Sequence, residues 1–394
     1  MKRSLLFLGI LSLSAGVQVS AADLSWGDPT LDSGQFKVSG AVRSRYLHKD
    51  YVVGANEGSQ NDDWRLTDIK LVLGYENPDW IAGLDARCYQ YNRLCDAIFL
   101  KKAWAGYKLS DQQRITVGLQ PVDFGFGEFW GSSYYETLLN TVGLEDIDNL
   151  GIKYKFADDK YNLTLGFYPT DGGNYKGTSK NSSRYSGNFV EADDLSNGTN
   201  IEEKNMWIGR ASRKFEIDKT QNFSTELGGS AWYSDLENKR TNIDGHRKSW
   251  NIFAQTQYQA WQWMFLAGKQ DVTNGDDLLP NSSTIGAFDY PYQVANKGKY
   301  LVNEINYTFA QPFHQLTNIK PYISHSRFFK DEEGYKDSER LIAGVYFNYK
   351  AICIQGEYIM SKNDPMVGGG ANGLAQGSSN DWDKLFYLSI GYYF

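Results

Sequence analysis

Apolar and polar residues alternate in steps of two along most of this chain. The carboxy-terminal stretch LFYLSIGYYF (385–394) shows the pattern plainly. Phe386, Leu388, Ile390, Tyr392 and Phe394 fall on one face, with Ser389 and Gly391 between them. A period of two marks a β-strand with one apolar face.

The same rhythm predicts about sixteen strands. They cover 35–48, 65–77, 80–91, 98–109, 114–125, 149–156, 161–170 and 204–217 in the first half. In the second half they cover 223–234, 248–261, 262–272, 299–310, 319–330, 338–350, 351–362 and 383 to the end. Tight joints fall at 77–79, 110–113, 157–160, 218–222 and Lys350-Ala351. Longer polar connections fall at 49–64, 126–148, 171–203, 235–247, 273–298 and 363–382. An even strand number, with short turns at one end and long loops at the other, is the layout of a bacterial outer-membrane barrel. The expected fold is all-β, a transmembrane antiparallel β-barrel over residues 35–394. Closure spares the terminal strands from leaving backbone groups unpaired in lipid.

The amino terminus fits that destination. Met1-Lys2-Arg3 is basic, Leu5 to Leu13 is apolar, and Val19-Ser20-Ala21-Ala22 is a run of small residues. This pattern predicts a secretory signal peptide over 1–21, followed by a periplasmic tail over 22–34. No segment approaches the roughly 18 to 20 apolar residues of a spanning helix.

Composition narrows the function classes. Aromatic residues make up 15%, and 39 glycines stand against 9 prolines, which suits one large barrel better than several small domains. The formal charge of −7 argues against nucleic acid as a partner. Cys88 and Cys95 could close a small loop, leaving Cys353 over. His48, His246, His314 and His325 are scattered without metal-ligand spacing, so neither metal nor cofactor is expected. The two GSS triplets lack a Gly-x-Ser-x-Gly pattern, and no catalytic residue is assigned. An enzyme is not expected.

The stretch LKKAWAGYKLSDQQRITVGLQPVDFGFGEF (100–129), followed after a loop by EDIDNLGIKYKF (145–156), resembles the trimeric porins of Gram-negative outer membranes. The resemblance implies passive diffusion of small hydrophilic solutes and ions through a water-filled barrel, in a homotrimer. It implies a third loop folded into the lumen. It also implies contact with outer-membrane lipid and lipopolysaccharide, and a terminal signal for the barrel-assembly machinery formed by Phe394, Tyr392 and Ile390. Two other readings stand beside it: a channel selective for carbohydrates or anions, and a structural or adhesive surface barrel.

If the apolar face of each strand meets lipid, the other face lines water. That face carries a basic wall of Arg43, Arg45, Lys70, Arg87, Lys102, Lys153 and Lys155. The third loop carries Glu128, Glu136, Glu145 and Asp146, with Asp148 at its end, and the resemblance implies that these acids face the wall across the narrowest point. Rings of charge set ion preference. A second inward set, Trp104, Tyr168, Trp232, Asn251, Phe253, Gln255, Gln257 and Tyr346, offers aromatic faces and amides of the kind that suit sugars.

Overall fold

The computed structural model describes residues 24–51, 62–91, 93–95, 97–172, 184–191, 198–288, 290–310 and 313–394. The signal-peptide reading of 1–21 lies outside the described residues. A short strand, β1 (Leu24–Gly27), precedes the wall. The wall begins with β2 (Gln35–Lys49), β3 (Asp62–Glu76), β4 (Trp80–Tyr89), β5 (Ala97–Ser110), β6 (Gln113–Pro121), β7 (Asp148–Ala157) and β8 (Tyr161–Asp171). Strand β9 (Arg184–Phe189) lies in the loop that follows. The wall resumes with β10 (Ile201–Asp218), β11 (Phe223–Asn238), β12 (Ile243–Tyr258) and β13 (Trp261–Thr273). After the loop strands β14 (Ser282–Phe288) and β15 (Tyr290–Ala295), it ends with β16 (Lys297–Tyr307), β17 (Leu316–Lys330), β18 (Ser338–Tyr349), β19 (Ile352–Lys362) and β20 (Asp383–Tyr393).

Sixteen of these strands form a closed antiparallel barrel. Each wall strand pairs with the next, and β20 pairs back onto β2 from Ala41↔Tyr393 to Lys49↔Leu385. The alternation read from the sequence decides which face goes where. Ile69, Leu71 and Leu73 of β3, Leu163 and Leu165 of β8, and Trp250 and Ile252 of β12 all point out and are exposed. Lipid is the solvent that stabilises such a face. Near the tight turns, aromatic pairs gather at Phe36–Tyr75, Trp80–Tyr107, Phe223–Tyr258 and Trp261–Tyr307, with ring centroids 4.8 to 5.5 Å apart. They form the aromatic girdle expected at one membrane interface.

The last residue completes the closure. The Gly40 amide donates to the Phe394 carbonyl at 2.8 Å, and the Phe394 amide donates back at 3.1 Å. Tyr392 points outward and is exposed. Gly40 is needed here, because a Cβ would lie 2.5 Å from the Lys70 carbonyl and 2.6 Å from the Phe394 ring.

Three expectations are corrected. Residues 24–27 of the supposed tail pair with Gln35–Val38, sharing with β20 the edge of β2 that β3 leaves free. The connection at 235–247 is only 239–242, because β11 and β12 stay paired up to Asn238↔Ile243. Polar residues there read as loop, although strands that rise into water need no apolar face. The loops at 171–203 and 273–298 contain β9, β14 and β15, which make a separate three-stranded sheet. Between β4 and β5, Cys88 and Cys95 form a disulfide with Cα atoms 4.8 Å apart, while Cys353 is a buried free thiol.

Deleting Phe394, or making Gly40→Val, is expected to cut the yield of folded barrel severalfold. The measurement is the fraction of unboiled protein with compact, heat-modifiable electrophoretic mobility. Wild-type yield from both variants would refute the closure argument.

Candidate functional site

The third long loop, 122–147, turns into the barrel because its own residues are too apolar for water. Val122, Phe124, Trp130, Leu138, Leu139 and Val142 are all buried. They join Tyr168 of β8, Trp232 of β11, Phe253 of β12, Leu266 of β13 and Tyr300 and Val302 of β16 in one apolar cluster. Burying a side chain of this size contributes about 1.5–3 kcal/mol. One turn of helix, α1 (Leu138–Val142), is capped by the Thr137 hydroxyl, which accepts from the Leu139 amide. It stops at Gly143, whose φ of 79° lies in the left-handed region that glycine adopts without strain.

Burial leaves the loop's backbone groups needing partners. Glu304 of β16 accepts from the Ser132 amide at 2.9 Å, and Glu357 of β19 accepts from the amides of Tyr134 and Tyr135 at 2.9 and 3.2 Å. Arg210 donates to the Gly125 carbonyl, and Arg247 to that of Gly143, each at 2.8 Å. The fully buried Arg340 of β18 does most. It donates to the carbonyls of Glu136 and Thr137 at 3.2 and 2.9 Å and to the Thr141 hydroxyl at 3.0 Å. Its Nε donates to Asp364, in the last long loop, at 2.8 Å. The loop is therefore bonded to the wall along β10, β12 and β16–β19.

The basic residues expected to line the pore lie on β2–β5 and β7. Arg43 chelates Asp68, with Nε donating at 2.7 Å. Arg87 chelates Asp85 at 3.0 and 2.9 Å, and Lys70 stands 3.6 Å from the same carboxylate. Arg45 is half-buried, points inward, and has a buried Nε without a partner. Lys153 and Lys155 flank Asp123 of the loop at 3.1 and 3.5 Å. Lys101 and Lys102 both reach Glu128, at 2.6 and 2.5 Å. Burial opposes ionisation of Asp123 and Glu128, but the paired lysines outweigh it and hold both well below the usual carboxylate range.

The loop acids thus touch the basic wall rather than facing it across water. Asp146 and Asp148 lie 2.8 and 3.1 Å from Lys101. Glu145 turns to its own loop, accepting from the amides of Trp130 and Thr137, and burial pushes it up to about 7. Glu136 is half-buried beside Asp146.

The aromatic and amide set does not form one wet track. Tyr168, Trp232 and Phe253 are the seat of the loop: Trp232 packs on Phe124 at 5.6 Å, and Phe253 on Phe126 at 5.3 Å. Asn251 is buried, and Tyr346 belongs to a second buried cluster near β20. Trp104, Gln255 and Gln257 are half-buried on inward positions.

Sequence reasoning missed Lys101, Asp68, Asp85, Asp123, Arg340, Glu304 and Glu357. Asp85 was within reach, since Asp-x-Arg on a strand puts both side chains on one face. Lys101 was not, because a register shift between Asp85 and Ala86, opposite Lys102 and Leu100, breaks the alternation.

Closed sixteen-strand wall, lateral loops of unequal length and an inward third loop together decide the class. The chain has the fold of the outer-membrane porins. Residues 82–263 of the chain match the sequence profile of the family described as phosphate-selective porin O and P. The outer membrane channel DcaP of Acinetobacter baumannii superposes with a TM-score of 0.60 at 11% identity, over 93% of this chain and 99% of that one. OmpF of Salmonella typhi gives 0.58 at 13%, over 94% and 100%. An anion-selective porin from Comamonas acidovorans gives 0.53 at 11%, over 91% and 99%. At these identities the likeness is one of fold. No curated protein matches the chain in sequence.

Arg340→Met is expected to free the loop and strand Asp364, costing about 3–5 kcal/mol as for other broken buried pairs. Thermal unfolding should fall and single-channel current should become noisy. Wild-type values for both would show that Arg340 does not hold the loop.

Proposed function

We propose that this porin is a passive diffusion channel of the bacterial outer membrane that prefers small anions. One observation carries the preference: Asp123 is shared by Lys153 and Lys155, and Asp85 by Arg87 and Lys70, so each carboxylate leaves a surplus positive charge. The side chains of Lys70, Lys102 and Lys155 keep 25%, 20% and 16% exposure, whereas those of Arg43 and Arg87 keep 9% and 6%. Lysines, more than the chelated arginines, are what a solute would meet. Support also comes from the matching family, described as phosphate-selective, and from the Comamonas acidovorans porin, described as anion-selective. Compact ammonium groups bind phosphate-like anions as point charges.

The reading is of a channel, not an enzyme. A homotrimer, lipopolysaccharide and the barrel-assembly machinery are the partners it implies. Of the five aromatic residues offered for a carbohydrate track, Tyr168, Trp232 and Phe253 seat the loop instead.

Neutralising the exposed lysines together, Lys70→Gln, Lys102→Gln and Lys155→Gln, should lower the anion-to-cation permeability ratio severalfold in planar bilayers under a salt gradient. An unchanged reversal potential would defeat the anion reading. Lys→Arg replacements at the same positions should retain it.

A further inference from the structure

At the root of the third loop, negative charge exceeds positive. Glu128, Asp146 and Asp148 each offer a carboxylate oxygen within 4.8 Å of the others. Glu136 adds a fourth carboxyl beside Asp146. Lys101 and Lys102 are the two ammonium groups bonded into this cluster. Lys101 bonds one oxygen of Asp146 and Glu136 hydrogen-bonds to the same carboxyl, yet Asp148 Oδ1 is buried with no hydrogen-bond partner. A cavity of about 290 Å³ opens beside them, lined by Lys101, Asp148, Ser186 and Asn188. Asn188 is only 5% exposed, and its amide nitrogen also lacks a partner. Oxygen and nitrogen of such an amide are interchangeable by a flip, so it can present its carbonyl to the cavity.

We propose that this cluster binds one divalent cation of the calcium type, next to the Lys101 ammonium. Three carboxylates against two lysines leave the cluster a negative charge for a cation to offset. Calcium accepts carboxylate, amide and water oxygens in an irregular shell, which suits Asp146, Asp148, Asn188 and the waters of the cavity. The site joins the two ends of the loop to each other and to β5. The Asp146 amide already donates to the Glu128 carbonyl at 2.9 Å, so an ion there would fix the angle at which the loop enters the lumen. This inference does not depend on the anion preference.

The test uses the full chain refolded in detergent, free of lipopolysaccharide and stripped with EDTA. Calcium alone is then added, with isothermal titration calorimetry and thermal unfolding as readouts. One calcium per chain and a raised unfolding temperature are expected for the wild type. Asp148→Asn should weaken binding by about tenfold or more. Asn188→Leu, which changes no charge, should weaken it less, and it serves if Asp148→Asn fails to fold. Lys101→Met removes only the competing ammonium and should bind as well or better. No calcium uptake by the wild type, undiminished uptake by Asn188→Leu together with folded Asp148→Asn, or loss of uptake in folded Lys101→Met would each overturn the site.

Discussion

Lipid gives a backbone amide nothing to bond, and that constraint shapes everything else in this molecule. A sheet in such a solvent must close on itself, and here the final link is made by Gly40 and the terminal Phe394. Once the wall carries its own hydrogen bonds and turns its apolar residues outward, the interior has no need to be a hydrophobic core. It is free to be divided. One half seats the apolar side of a loop, and the other carries the lysines and the aspartate-paired arginines.

The division explains how a loop of this length stays inside. Its apolar residues need an apolar seat, which β8, β11–β13 and β16 supply. Its polar backbone needs partners, which Glu304, Glu357, Arg210, Arg247 and Arg340 supply. Neither alone would serve: an apolar seat without partners leaves buried amides unbonded, and partners without a seat would compete with water. The long side chains of the wall therefore act first as fasteners. Arg340 also binds Asp364, so the third loop and the last loop share one fastener.

Periodicity could carry the architecture and the direction of each side chain, but not what covers that side chain from within. Arg43 and Arg87 were placed on the inward face from alternation alone. That Asp68 stands against Arg43 needed the register of β2 on β3, which no single strand contains. Trp232 and Phe253 looked like a surface for solutes because an inward aromatic reads the same whether a loop or a sugar lies against it. The clue was in the loop itself: a polar connection has little reason to hold Trp130, Leu138, Leu139 and Val142. Lys101 escaped for a local reason, since a register shift lets it and Lys102 both turn inward to Glu128. The strands within the loops at 184–189 and 282–295 escaped because they are short and lie against protein, without the lipid face that marks the others.

Pairing of buried charge then limits what is left for a solute. An arginine chelated by one aspartate has its charge matched and its hydrogen-bond donors taken, so it offers little to a passing anion. A lysine that shares its carboxylate with a second lysine is only half matched. Its ammonium keeps some contact with water and can exchange one partner for another without leaving a charge buried alone. The sharing of Asp123 by Lys153 and Lys155 has this form. The loop that narrows the lumen brings Asp123 with it, so the position of the loop and the charge of that strip are set by the same contacts.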